Sequence, residues 1–429
     1  MPDADVVIRG GTVIDELGTR RADVLVRDGL VVAVENDIEA ASATRVVDAH
    51  GCAVAPGLVD LHAHLREPGR EEAETVETGA RSAAAGGYTA VVAMPNTDPA
   101  IDSAAVVRHV LGLGAAVACD VRVAGAITVG RAGERLAPMA EMAALGVRIF
   151  TDDGSGVQDA RLMRRALEYA SDLDVVLAQH CEDDALAAGG HMHEGEWSSR
   201  LGIPGSPAEA EELMVARDLA LARLTTTRLH FLHLSTAGSL SLVAAAKAEG
   251  LPVTAEVAPH HFTLTDADVA GYDTRFKVNP PLRTRSDVEA LKEGLRSGVV
   301  EAIATDHAPH ALEAKEVPFS EAPPGMLGLE TALALAITEL DLPLDRVLAL
   351  MSWQPARIAG LTGEHGGPVA EGRPANLCVI DPEAHWVVEP ARMASLSRNT
   401  PYGGRKVTGR VRHTMLRGEL VVIDGEPQR

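Results

Sequence analysis

Aromatic residues are scarce: Phe, Trp and Tyr make up only 3% of the 429-residue chain. Any interior must therefore be filled mainly by Ala, Val and Leu. Cysteine is nearly absent, with Cys52, Cys119, Cys181 and Cys378 scattered and no Cys-x-x-Cys pair. That spacing excludes a zinc ribbon and fits a reducing compartment. No apolar run reaches the ~20 residues of a membrane-spanning helix. No basic start followed by an apolar stretch marks a secretory leader, so a cytoplasmic protein is expected. Positive charge is in deficit, and the net charge of −22 argues against a nucleic-acid or anionic-membrane partner. Low-complexity segments and solenoid-scale repeats are missing too, which leaves one large globular domain or two.

What is present alternates. Short β runs occupy 53–61, 89–94, 121–128, 147–151, 175–179, 228–234, 253–257 and 299–305. Ala- and Glu-rich helical windows lie between them, such as 72–85, 160–171, 209–222 and 239–249. Eight β/α units in succession predict an α/β fold, a closed (β/α)8 barrel. An open doubly wound sheet is the alternative, but it favours a Gly-x-Gly-x-x-Gly turn after its first strand, and none is present. Both ends differ from this middle. Residues 1–55 carry short alternating strands, with Asp28-Gly29 as a hairpin signal. Similar strands recur at 375–380, 409–414 and 419–422. The expected organisation is a small discontinuous β domain from 1–55 and 366–429, around a barrel of 56–365.

In such a barrel the C-terminal strand ends share one mouth. Here those ends carry His62 and His64, Asn96, Asp152-Asp153, His180, His233, His260-His261 and Asp306-His307. Imidazole or carboxylate at six of eight ends is denser than chance placement of polar residues. Side chains two apart on a strand share a face, so His62 and His64 can serve one ion. Four histidines with two carboxylates make a ligand set for two divalent cations. Ions ~3.5–4 Å apart can hold and activate a hydroxide between them. Spacing does not choose between Asp152 and Asp153. His260-His261 reads as support or packing, because six donors already satisfy two ions. The glycine-flanked His191-Met192-His193 reads as a surface loop.

Together these motifs resemble the amidohydrolase superfamily, and within it the long-chain (type I) dihydroorotases. The resemblance runs through Pro56 to Arg66, Met94-Pro95-Asn96-Thr97, Phe150 to Gly154 and His180-Cys181-Glu182-Asp183. It continues through Leu232 to Ser235, Pro259-His260-His261, Asn279 to Arg283 and Thr305 to His310. It implies two zinc ions, with His62, His64 and Asp306 on one, His180 and His233 on the other, and Asp153 bridging both. In relatives such as hydantoinases a carboxylated lysine bridges the metals. The corresponding position here is Arg148, whose guanidinium cannot be carboxylated.

The resemblance also places Arg66, Asn96 and His310 around a substrate carboxylate beside His64. Asn279 and the backbone at Pro324-Gly325 are implied at a pyrimidine ring. Many relatives have Phe-Gly there, and a proline has no N–H to offer. The implied reaction is reversible hydrolysis of (S)-dihydroorotate to N-carbamoyl-L-aspartate in pyrimidine (UMP) biosynthesis. A hydroxide between the metals attacks, and Asp306 acts as general base and then general acid. Two rivals stand beside it. One is a cyclic amidase for hydantoin, dihydrouracil or allantoin, which lack the ring carboxylate that Arg66 would hold. The other is an inactive subunit scaffolding aspartate carbamoyltransferase, but such homologues lose metal ligands and all six stand here. A homodimer, and an association of the active enzyme with that transferase, stay open. The proline-rich stretch 310–325 reads as a lid or rim, or else as an ordinary surface loop.

Overall fold

The computed structural model describes residues 5–39 and 45–429. Eight parallel strands carry the middle of the chain: β1 (Leu58–Ala63), β2 (Tyr88–Ala93), β3 (Asp120–Val123), β4 (Ile149–Phe150), β5 (Val176–Gln179), β6 (Leu229–Phe231), β7 (Val253–Val257) and β8 (Ala302–Ile303). They form a three-stranded sheet, β3-β2-β1, and a five-stranded sheet, β4-β5-β6-β7-β8. Single parallel bridges link the two sheets at both seams, Gly125 with Phe150 and Ala63 with His307. At one seam Thr151 N donates to Gly125 O at 2.8 Å; at the other His64 N donates to His307 O, also at 2.8 Å.

Alternation along these strands separates two cores. Val59, Leu61, Ala90, Val92, Ile149, Val176, Ala178, Ala302 and Ala304 pack together in one cluster. Leu58, Val91, Phe150, Leu177, Phe231 and Ile303 belong to another, shared with helix residues such as Ala80, Leu167, Leu219 and Val243. Alanine-rich packing is what the shortage of aromatics requires.

Helices Val76–Ala85, Ala160–Ala170, Glu209–Thr225 and Ala237–Ala248 occupy the four expected windows. The first starts later than its composition suggests, because Thr75 caps it and its hydroxyl oxygen accepts from Thr78 N at 3.1 Å. No helix of the described residues is long and apolar enough to cross a membrane.

The apolar run 53–61 is not one strand. It breaks at Gly57, where a Cβ would come within 2.2 Å of the Thr89 side chain. Ala53–Pro56 instead pairs with Leu377–Val387 and with Thr12–Asp15, in a seven-stranded sheet built from both ends of the chain. A four-stranded sheet of N-terminal strands packs its Ile8 and Val24 with Val54, Val379 and Met415 of that sheet. The Asp28-Gly29 hairpin forms with φ of 50° and 78°, the doubly left-handed turn those residues favour. Arg417-Gly418 makes a second such turn, with φ of 49° and 82°. The two turns lie against each other, so a Cβ on Gly418 would meet Gly29 Cα at 2.9 Å.

One carboxylate fastens the terminal sheet to the parallel strands. Asp120 in β3 accepts from Arg417 Nη2 at 2.6 Å, Arg122 Nη2 at 3.1 Å and His365 Nε2 at 2.9 Å. Burial opposes its ionisation, but His365, Arg122 and Arg417 outweigh burial and hold the carboxyl below its ordinary range. Asp120, Glu364 and His365 lie close enough to share a cation, yet two guanidiniums already neutralise that group. Asp120→Asn is expected to lower stability by about 1–2 kcal/mol in chemical denaturation, because buried His365 and partly exposed Arg417 lose their carboxylate while Arg122 keeps Glu364. Since the folded pKa is depressed, this stabilisation is complete above the ordinary value of 3.8 and is lost as pH falls below it. Stability measured against pH should therefore fall less steeply on the acid side in the variant.

Candidate active site

The C-terminal ends of the parallel strands open on one cleft. His64, Arg66, Asn96, Asp153, His180, His233, Asn279, Asp306, His310, Pro324 and Gly325 all line it. His62 lies beside them with no exposed surface. The structure thus brings together every residue that the sequence nominated for the site.

At the centre stands Asp153. Its Oδ1 is 3.5 Å from His62 Nε2, 3.5 Å from His180 Nδ1 and 3.4 Å from His233 Nε2. Its Oδ2 is 3.6 Å from His64 Nε2. Asp306 Oδ1 lies 3.3 Å from His64 Nε2 and 3.6 Å from His62 Nε2. Asp152 is turned away and accepts from Ile127 N, Thr128 N and the Thr128 hydroxyl, fixing the turn beyond β3. Geometry therefore separates the two aspartates that spacing left equivalent.

These donors suit divalent cations. His62 Nε2 and Asp153 Oδ1 are buried with no hydrogen-bond partner, a costly arrangement unless something else satisfies them. His180 Nδ1 and His233 Nε2 face each other at 3.1 Å, both within 3.5 Å of Asp153 Oδ1. Most of the separations are long for hydrogen bonds. They match the edges, about 3.3–3.6 Å, of a tetrahedron whose ligands stand ~2.0–2.2 Å from its centre. Two triplets emerge, His62-His64-Asp153 and Asp153-His180-His233, with Asp153 in both.

The residues behind the ligands fix their tautomers. His62 Nδ1 donates to Glu256 Oε1 at 2.9 Å, and Glu256 Oε2 accepts from His230 Nε2 at 3.0 Å. His64 Nδ1 donates to Asn96 Oδ1 at 2.9 Å. In both cases Nε2 is left as a lone pair aimed at the cluster. Sequence reasoning missed Glu256 and His230. Their signal was present: each is a polar side chain inside an otherwise apolar strand, and both are fully buried. Glu182 was missed as well. Its Oε2 accepts from Asn279 Nδ2 at 3.0 Å and lies 3.6 Å from His180 Nε2.

Charge inside the cluster is mutually balanced. Burial disfavours the Asp153 carboxylate, but His62, His180 and His233 overcome it and hold the group well below its usual range. Burial likewise opposes Asp306, and His64, His62, His233 and His260 reverse it. Glu256 is brought down to about 2, since His230 and His62 outweigh its burial. His260 Nε2 lies 3.6 Å from Asp306 Oδ2, and burial pushes that imidazole to about 4. His261 Nε2 donates to Pro280 O at 2.9 Å and takes no part in the cluster.

Beyond the histidines sits a buried cation. Arg66 is 7% exposed, and its Nε donates to Pro309 O at 3.0 Å. Among the described residues its guanidinium makes no ion pair. Burial, with Arg70 nearby, lowers it to about 10. Nη2 is 3.3 Å from His310 Nε2, but that nitrogen serves the carbonyl of Pro324 at 2.8 Å. Burial and Arg66 push the His310 imidazole down to about 2, so it is neutral. The guanidinium therefore keeps donors for a ligand. Arg66, His233 and Asp306 all hold left-handed backbone, with φ of 63°, 28° and 45°, strain of the kind that gathers at functional sites.

Four expectations are revised or sharpened. Pro324 and Gly325 line the cleft without a free backbone donor, since Gly325 N donates to Lys277 O at 2.8 Å and the Pro324 carbonyl is taken by His310. The His191-Met192-His193 stretch is not an exposed loop. Met192–His193 pairs with Gly205–Ser206, and His193 Nδ1 contacts Arg283 Nη1 at 3.2 Å, so packing gives this pair its place. Arg148 stands away from the cluster and donates to Ala143 O and Val147 O. The stretch 310–325 forms a rim pinned by two buried lysines: Lys315 Nζ donates to Thr274 O and Pro323 O, and Lys277 Nζ to Phe319 O and Ser320 O.

Residues 51–239 match the family described as dihydro-orotase-like. The chain is similar to a dihydroorotase of Streptomyces coelicolor at 50% identity, with 98% of this chain and 99% of that protein aligned. It is 49% identical to a dihydroorotase of Pelotomaculum thermopropionicum over the same shares of each. Among solved structures it resembles an L-hydantoinase (dihydropyrimidinase) from Arthrobacter aurescens, with a TM-score of 0.89 at 26% identity, covering 100% of this chain and 98% of that one. With close to half of its residues shared along nearly its whole length, the chain belongs to the dihydroorotase family.

Proposed function

We propose that this protein is a dihydroorotase that opens (S)-dihydroorotate to N-carbamoyl-L-aspartate, and closes it again, in pyrimidine biosynthesis. One observation carries the choice of substrate: a buried guanidinium, Arg66, stands beside the ligand cluster with no carboxylate of its own. Dihydroorotate brings that carboxylate, and a bidentate grip uses the free face of the fork. Hydantoin and dihydrouracil would leave the cation unmatched, although the fold is shared with a hydantoinase. Relatives called dihydroorotases at 49% and 50% identity support the same reading.

The architecture we propose behind this reading is a single (β/α)8 barrel from 56–365, a reading that the Gly125–Phe150 and Ala63–His307 bridges support. The described residues of 1–55 and 366–429 are proposed as a small β domain beside it. Two zinc ions are the proposed cofactor, one held by His62, His64 and Asp306, the other by His180 and His233, with Asp153 shared. Imidazole nitrogen with carboxylate oxygen is a donor set that zinc favours. When bound, the ions supply an acidified water and polarisation of the ring amide carbonyl.

The chain's own groups do the rest. Arg66, with the Nδ2 of Asn96, orients the ring by its carboxylate, and Asn279 borders the ring. As the water oxygen bonds to the ring carbonyl carbon, Asp306 takes its proton. Oδ1 faces His62 and His64, so the proton rides on Oδ2, the oxygen nearest His260. Cleavage of the ring C–N bond then returns that proton to the leaving nitrogen. Ring closure runs the same steps backwards.

An assay settles it. Turnover of dihydroorotate should vanish on chelation and return with zinc, while hydantoin is not hydrolysed. Equal rates on both substrates would refute the reading. A second measurement concerns Glu256. Glu256→Gln can no longer accept from both His62 and His230, and zinc affinity in a chelator competition should fall about 10- to 100-fold.

A further inference from the structure

The substrate side of the cleft is held by a residue far along the chain. Between the strands Leu377–Val387 and Lys406–Leu416, an irregular segment leaves the terminal sheet and reaches the cleft wall. It is tied down along its length. Leu396 N donates to Glu74 Oε1 at 3.0 Å, and Ser397 Oγ to Ala73 O at 2.6 Å. Next comes Asn399, 5% exposed. Its Oδ1 accepts from His310 N at 3.0 Å, and its Nδ2 donates to Ala308 O at 3.0 Å and Gly325 O at 3.1 Å. Its own carbonyl accepts from Leu327 N at 3.2 Å.

One residue thus reinforces the contact between 308–310 and 325–327, which also meet through Ala308 N donating to Met326 O at 2.8 Å: its side chain reaches Ala308, His310 and Gly325, and its carbonyl reaches Leu327. Between its contacts lie the groups that hold the carboxylate grip. Pro309 O accepts from Arg66 Nε, and Pro324 O accepts from His310 Nε2. We propose that Asn399 is a positioning residue for substrate recognition: it holds the two wall segments so that Pro309 O and the His310 ring keep the Arg66 fork aimed at the substrate carboxylate. This rests on the reading of Arg66 given above. Only an amide fits the role, since it must accept from one N–H and donate to two carbonyls at once. A carboxylate of the same shape would face two carbonyl oxygens with no hydrogen to share.

The test is a double-mutant cycle on the zinc-loaded enzyme with N399D, H310A and the pair. N399D is expected to raise KM for dihydroorotate at least tenfold, with kcat within about threefold and metal content per chain unchanged. In the H310A background the further rise in KM should shrink to less than threefold, because both changes disable one grip. A KM for N399D within twofold of wild type overturns the proposal. So do effects of N399D and H310A that multiply in full, or a loss of kcat and metal at constant KM. If R66K leaves KM unchanged, the carboxylate grip itself is wrong. If H310A raises KM and N399D does not, only the role of Asn399 falls. Should N399D fail to fold, N399S leaves room for a bridging water and should give the same split between KM and kcat.

Discussion

Asp306→Asn is expected to lower kcat for dihydroorotate by roughly 10²- to 10⁴-fold, the span of general acid–base catalysis, while KM stays within a few-fold of wild type. The asparagine is isosteric and keeps a carbonyl oxygen that can face His62 and His64, where Oδ1 now lies. It loses the second oxygen, beside His260, to which the proposed proton transfer is assigned. Metal content measured on the same preparation separates the two roles of this residue. Full metal with collapsed kcat assigns the loss to proton transfer, whereas a variant that turns over near the wild-type rate refutes the role of Asp306.

Arg66→Met should move activity and stability in opposite directions. Among the described residues the buried guanidinium makes no ion pair, and burial outweighs the pull of Asp306, Asp153 and Glu74, so an apolar side chain of similar length relieves a desolvation cost. A gain of about 1–3 kcal/mol in denaturant unfolding is expected. Turnover should collapse, with kcat/KM down about 10²- to 10³-fold, because the substrate carboxylate then enters an apolar slot. Arg66→Lys keeps the charge but loses the fork, and should fall between wild type and methionine. A methionine variant less stable than wild type, or a lysine variant with unchanged kcat/KM, would contradict this account.

The opposite signs follow from a site kept under-satisfied until substrate arrives. The same logic runs through the strained φ angles of Arg66, His233 and Asp306, which the surrounding structure must hold against local preference.

How far the sequence revealed this site depended on distance along the chain. His62, His64, His180 and His233 were legible because each follows an apolar strand, and period-two alternation announces a strand within a few residues. Asp152 and Asp153 were legible only as a pair. What separates them is a contact from Asp152 to Thr128 across a neighbouring strand connection, and local patterning carries no such information. Glu256 looked like one charged residue in a strand, and nothing nearby says that His62, 194 positions earlier, needs its carboxylate. The break at Gly57 was hidden for the same reason, because a continuous apolar run can feed two sheets when both bury it. His191-Met192-His193 misled in the other direction: its glycines signal a loop, but buried pairing with Gly205–Ser206 overrides them.

The reach of Asn399 has a consequence for how the molecule is made. His310 and its partner Asn399 are separated by 89 positions. At about 5–20 residues per second, a ribosome that has just added His310 needs roughly 5–20 s more to add Asn399. The eight parallel strands and the residues proposed to hold the ions are all synthesised by then. The order of synthesis therefore puts the proposed ion ligands well ahead of the residue proposed to hold the substrate wall.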